Sequence, residues 1–175
     1  MSAAQICQFA ILGALIYVCK MAMAPLPNIE PVTLLVILMA VVWGWPGLWS
    51  VYLYIFLEFC TWGVNLWNIY YIYIWLILFI AAMKFRTVKS PFLWACIGAA
   101  FGMSFGALCA AAQIAVSGFS GALAWWISGI PFDLTHGAGN FVLIGLLFTP
   151  LKRLLESVKR EIKKIMNTEK ADLIV

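Results

Sequence analysis

Long apolar runs separated by short clusters of Pro, Gly and Asn fill most of this chain. Runs of that length predict helices that cross a bilayer, which takes roughly 20 apolar residues per span. The first run covers about Ala3 to Met23 and stops at Pro25; the second, shorter, covers about Pro31 to Val42. Gly44-Trp45-Pro46-Gly47 breaks the pattern, because Pro and Gly punctuate helices. A third run extends from about Leu48 to Val64, a polar turn from Asn65 to Asn68, and a fourth run from about Ile69 to Met83. Pro91, at a favoured first-turn position, opens a fifth to about Val116. Ser117 to Gly121 reads as a loop and Ala122 to Ile127 as a short helical turn, and a sixth run begins near Pro131 and ends at Phe148 before Pro150. The expected fold is an all-α membrane protein, a compact bundle of six transmembrane helices over residues 1–150. Residues 151–175 form a separate basic tail.

Composition supports that reading. Of 175 residues, 65% are hydrophobic and only 10% charged, against about 25% charged in a soluble domain. No soluble interior hides so much apolar surface, whereas a bilayer acts as its solvent. No basic segment precedes the first run and no small-residue cleavage site follows it, so the first helix is expected to be retained. Cys7, Cys19, Cys60, Cys96 and Cys109 lie inside apolar runs without pairing or metal spacing, and read as small buried hydrophobes.

Charge sets the orientation. Lys84, Arg86 and Lys89 lie between runs four and five, and Lys152, Arg153, Lys159, Arg160, Lys163, Lys164 and Lys170 follow run six. Two spans separate the groups, so both fall on one side, and the positive-inside rule makes that side cytoplasmic. Ten of the eleven Lys and Arg residues comply, Lys20 being the exception. Both termini are then cytoplasmic. In the tail, Leu151, Leu154, Leu155, Val158, Ile162 and Ile165 share one helical face opposite the basic residues. Such a helix either lies on anionic lipid or docks a cytoplasmic partner.

With this orientation the non-basic polar residues gather on the outer side. They include Asn28 and Glu30 in the first loop, Asn65 and Asn68 in the second, Tyr70, Tyr71 and Tyr73 opening helix four, and Trp125 and Trp126 before helix six. Asp133, His136 and Asn140 are spaced three and four apart and share one face of helix six. Ionisable groups inside a membrane are costly and mark functional sites. Two readings stand side by side. Either Asp133 caps a helix while His136 and Asn140 tie helices together, or these groups line a small-molecule pocket open to the outside. Trp125 and Trp126 are interfacial belt residues or a stacking surface for a ring-bearing ligand. Glu58, mid-helix three, pairs within the bundle or reaches the pocket.

Gly98, Gly102 and Gly106 form a small-residue stripe that suits close helix packing. Ala10 and Ala14 form a flat patch in the cytoplasmic half of helix one, open to a partner helix. There is no phosphate-cradling loop, no HExxH and no GxSxG, and with one His and no Cys cluster no metal site is expected. No cofactor and no nucleic-acid partner is expected. A pocket without an engine implies a receptor or a subunit that borrows energy. A membrane-embedded enzyme using Asp133 and His136, or a self-sufficient carrier, are the competing readings.

The residues resemble the substrate-binding S components of energy-coupling factor (ECF) transporters, the vitamin importers of bacteria and archaea. The resemblance covers roughly residues 1–155. It rests on Leu26-Pro27-Asn28-Ile29-Glu30-Pro31, on Ala10-xxx-Ala14, on Trp126-Ile127-Ser128-Gly129-Ile130-Pro131-Phe132-Asp133-Leu134-Thr135-His136 followed by Asn140-Phe141, and on Leu147-Phe148-Thr149-Pro150-Leu151. It implies capture of a vitamin from outside, without catalysis, in the plasma membrane of a bacterium or archaeon. It also implies association with a transmembrane T subunit and two ATPases. Ala10 and Ala14 map to that family's docking patch and residues 26–31 to its gating loop. The motifs look closest to a cobalamin-type branch. The scarcity of outer cations argues against a strongly anionic ligand such as folate.

Overall fold

A computed structural model of the chain describes residues 2–26 and 28–172, except the side chains of residues 168–172. Pro27 of the first-loop motif and the Lys170 side chain lie outside the described residues. Every regular element among them is helical. They are α1 (Ala3–Met23), α2 (Val32–Trp43), a 3-10 turn (Trp45–Gly47), α3 (Leu48–Trp62), α4 (Leu66–Lys84) and α5 (Pro91–Asp172).

α1 starts at a reciprocal cap in which Ser2 Oγ accepts from Gln5 N and Gln5 Oε1 accepts from Ser2 N. It packs chiefly on α3. Their contact is polar at two points, Ser50 Oγ donating to Phe9 O at 3.0 Å and Tyr17 Oη meeting Thr61 Oγ1 at 2.6 Å. All twelve residues of α2 are buried, as expected of a helix apolar on every side. It runs through the middle of the bundle against α4 and α5. Twelve residues rise only about 18 Å, well short of the ~30 Å hydrocarbon layer. α2 ends where Gly44 takes φ 70° and ψ −150°, a conformation essentially confined to glycine.

α1, α4 and α5 are long and apolar enough to cross a membrane. The outer surface is apolar too: Ile11, Phe119 and Leu146 are each about 70% exposed. A surface of that kind needs an apolar surrounding.

Several boundaries differ from the sequence reading. Leu66 to Asn68 are helical, because Asn65 caps α4 by accepting from Asn68 N at 3.1 Å. The expected loop at Ser117 to Gly121 shrinks to one residue, Gly118, at φ 70° and ψ 175°. Pro131 and Pro150 lie inside helix rather than at its ends. The sixth helix is therefore the second arm of α5, and the described residues make five helices. The arms are antiparallel: Gly98 faces Ile144, Gly102 faces Gly137 and Asn140, Gly106 faces Asp133, and Trp94 stacks on Phe148 at 5.5 Å. The Gly98-Gly102-Gly106 stripe is the surface on which the second arm lies.

Past Pro150 the helix continues as the basic tail. Lys159 Nζ donates to Val42 O at 2.7 Å, and Arg86 Nε donates to Val41 O at 3.2 Å. Both cations meet unsatisfied carbonyls at the negative end of α2. The basic groups at 84–89 and in the tail thus sit at the same end of the bundle. Lys20 and the first loop sit at the other, where α2 begins.

Candidate ligand cavity

At the end away from the basic groups, a cavity of about 390 Å³ opens between the first loop, α4 and the two arms of α5. Its volume is within the range of small-molecule sites. Asn28, held at φ 58° in the loop, forms one rim. Trp67 and Trp125, 5.8 Å apart and tilted at 48°, form an aromatic wall. Phe105 and Phe132 add apolar surface, and Ser128, Gly129 and Gly106 complete the lining with Asp133 and His136.

The arm-to-arm packing positions Asp133. Gly106 N donates to its Oδ1 at 2.9 Å, and a Cβ on Gly106 would overlap the carboxyl. Oδ2 is buried without a hydrogen-bond partner. The Trp126 indole acts on this carboxyl, yet its Nε1 forms no hydrogen bond of good geometry. One turn on, the His136 ring meets Phe105 edge-on at 5.1 Å, and its Nε2 is likewise buried and unpartnered. Unmet hydrogen-bonding groups are expensive in an apolar interior. Two of them beside an aromatic wall form a surface that fits a flat polar ligand.

The other expected site residues are placed differently. Asn65 is spent at the α3–α4 turn, capping α4 and donating to Trp62 O and Gly63 O. Asn68, 2% exposed, donates to Glu58 O at 3.2 Å and Gly63 O at 2.8 Å. Tyr70 gives its hydroxyl to Gln113 Oε1 at 2.6 Å. Asn140 donates to Gly98 O at 3.2 Å and joins the arms of α5. None of these four lines the cavity. Each is satisfied by backbone or side chain, so they hold the scaffold. Trp126 is not part of the lining. Trp67, Phe105, Ser128, Gly129 and Phe132 do line it and were not singled out from sequence. Ser128, Gly129 and Phe132 fall inside the Trp126–His136 motif, which was the available signal. Trp67 and Phe105 gave none beyond being aromatic.

Glu30 belongs to an adjoining cleft of about 230 Å³, shared with Lys20, Trp62 and Asn28. Lys20 Nζ pairs with Glu58 Oε2 at 2.6 Å and lies 5.0 Å from the Tyr71 ring. That pairing resolves Glu58 as a residue paired within the bundle. Its Oε1 remains buried and unpartnered, as does Tyr54 Oη. The loop carboxyl of Glu30 is pushed up to about 6, mainly by burial and also by Glu58, against the pull of Lys20. Asn28 borders both the cleft and the cavity, so the first loop joins them.

Ala10 is exposed in a shallow groove with Ile6, Trp49 and Leu53, and Ala14 is half-buried one turn further along. Among the described residues no group of three or more His, Cys, Asp or Glu side chains comes together as a metal site. Comparison of the chain with family models, curated proteins and solved structures returned no match.

Proposed function

We propose that this protein is the substrate-binding subunit of an ATP-driven ECF-type importer, taking a vitamin or related micronutrient from outside the cell. The observation that carries the reading is the cavity end of α5. Asp133 Oδ2 and His136 Nε2 stand unpartnered beside Trp67 and Trp125, at the end of the bundle away from the basic groups at 84–89 and in the tail. A ring-bearing ligand with an N–H or O–H donor for Asp133 and a polar edge for His136 matches this surface. The resemblance carried by the motifs at 26–31 and 126–136 supports the family reading, and Asn28 of the first and residues from Ser128 to His136 of the second border the cavity. A corrinoid is bulkier than about 390 Å³, so under the cobalamin-type reading part of the ligand sits at the mouth beneath the first loop. With no phosphate-cradling loop in its sequence, the protein takes its energy from a T subunit and two ATPases. The groove at Ala10 is the surface offered to the T subunit.

Gentle extraction from the native membrane followed by native mass spectrometry tests the binding step. The expected result is a small molecule released on activation, retained by wild type and lost from Asp133→Asn and His136→Ala. Equal retention by these variants would remove the cavity from the binding reading. Docking is tested by co-expression with an ECF module. Ala10→Trp with Ala14→Trp should abolish the complex while leaving the small molecule bound. An unchanged yield of complex would place the T subunit elsewhere.

A further inference from the structure

The opposite end of the bundle carries a second cleft, of about 330 Å³, between the tail and the ends of α1 and α2. Its polar lining is rich in hydrogen-bond donors, and it also includes the amides of Gln5 and Asn167, which donate and accept. Lys159 and Lys163 come from the tail, Gln8 from α1 and Trp43 from the end of α2. Gln8 Nε2 and Trp43 Nε1 are buried there without a partner. Trp43 is 7% exposed, and its indole N–H can only donate. Arg86 stands behind the cleft, tied to Val41 O.

No carboxylate lines this cleft. The acid that acts on Lys159 is Glu156, which is shared with Lys152 at 3.8 Å. Burial and the neighbouring Arg86 both depress the Lys159 ammonium pKa, as expected where positive charge is in excess. Val42 O meets the Lys159 charge only in part, because a helix end carries about half an elementary charge. The site has converging donors and a surplus of cations, and it asks for an anion with several acceptor oxygens. Apolar Phe9, Ile162 and Met166 complete the walls. A free ion makes no use of them, whereas acyl or glycerol carbons do.

We propose that this cleft binds the phosphate of an anionic lipid headgroup, seated between the tail and the membrane bundle. The tail then does more than rest on a charged surface: it closes a stoichiometric lipid site. The inference is independent of the import reading and needs only the placement of the bundle in a bilayer.

The test uses the full-length protein in nanodiscs of phosphatidylglycerol or of phosphatidylcholine, ejected into a native mass spectrometer. Wild type should retain one phosphatidylglycerol and no phosphatidylcholine. Trp43→Phe combined with Lys163→Gln should lower retention about tenfold, the size expected for losing charge-assisted bonds. Gln8→Glu, nearly isosteric and anionic, should reject the lipid without touching the tail. Arg153→Gln, exposed on the tail outside the cleft, should retain it and controls for bulk charge. Equal retention of both lipids overturns the proposal, as does unchanged retention in folded Gln8→Glu or Lys163→Gln. Displacement of the lipid by inorganic phosphate assigns the cleft to a free anion and overturns the lipid source.

Discussion

Asn68 and Asp133 are both buried polar side chains near the end of the bundle away from the basic groups, and they differ in what is left over. Asn68 gives its amide hydrogens to Glu58 O and Gly63 O and accounts for both acceptors. Asp133 accepts from Gly106 and keeps one oxygen unmet. Replacing Asn68 with Ala should therefore cost stability, about 1–3 kcal/mol for two lost hydrogen bonds, read as a lower Tm, with retention of the small molecule unchanged. Asp133→Asn should behave in the opposite way, with Tm nearly preserved and ligand affinity down about tenfold. A drop in Tm with no change in affinity would make Asp133 a scaffold residue. The sequence put both residues at the same end of the bundle but could not separate them. Spacing along a helix reports the face a side chain occupies. Whether its hydrogen bonds are already spent depends on carbonyls contributed by residues far away in the chain, such as Gly98 O for Asn140.

At the scale of elements, α5 shows how little backbone is needed to reverse a chain. One residue, Gly118, leaves the helical region, and an added Cβ there would meet nothing within 4 Å. The constraint is conformational and has nothing to do with space. Gly118→Val should cost roughly 1–3 kcal/mol, measured by thermal unfolding, and an unchanged Tm would mean the bend tolerates another geometry. Gly129→Ala provides the contrast. It is helical with nothing within 4 Å of the added carbon, so no loss of stability is expected there. The lengths of the apolar runs made the helices legible, including the brevity of α2. The stops were less so. Pro131 and Pro150 read as boundaries because proline lacks an N–H and crowds the preceding turn. In α5 the helix passes through both, with the neighbouring arm packed two residues away at Asp133 and at Phe148.

At the scale of the molecule, charge separates the two ends. One end gathers Arg86 and Lys159 on the carbonyls of α2. The other holds Lys20 between Glu58, Glu30 and the rings of Tyr54 and Tyr71. The alternation of spans and basic clusters already implied this polarity, and it was the most legible global feature. The Lys20–Glu58 pair was not legible, because it joins α1 to α3 across 38 positions. A pH dependence follows from this end. The Glu30 value in the fold, about 6, is above the ordinary 4.5, so the folded loop favours the protonated form. Its contribution to holding the loop is complete below about 4.5 and fades as pH rises through about 6. A cysteine at Asn28 should be labelled by a polar maleimide more slowly at pH 5 than at pH 7.5, after correction for thiolate content, and Glu30→Gln should flatten the difference. A flat wild-type profile would uncouple Glu30 from the loop.

The hydrogen bond from Lys159 to Val42 O bridges 117 positions, and it sets an order of events during biogenesis. The end of α2 is translated early, but the ammonium that satisfies Val42 O is added only 117 positions later. Until then Val42 O of the innermost helix waits without its cation, with Arg86 alone on the neighbouring Val41 O, and chains released before codon 159 should be surrendered to quality control even with every membrane segment inserted.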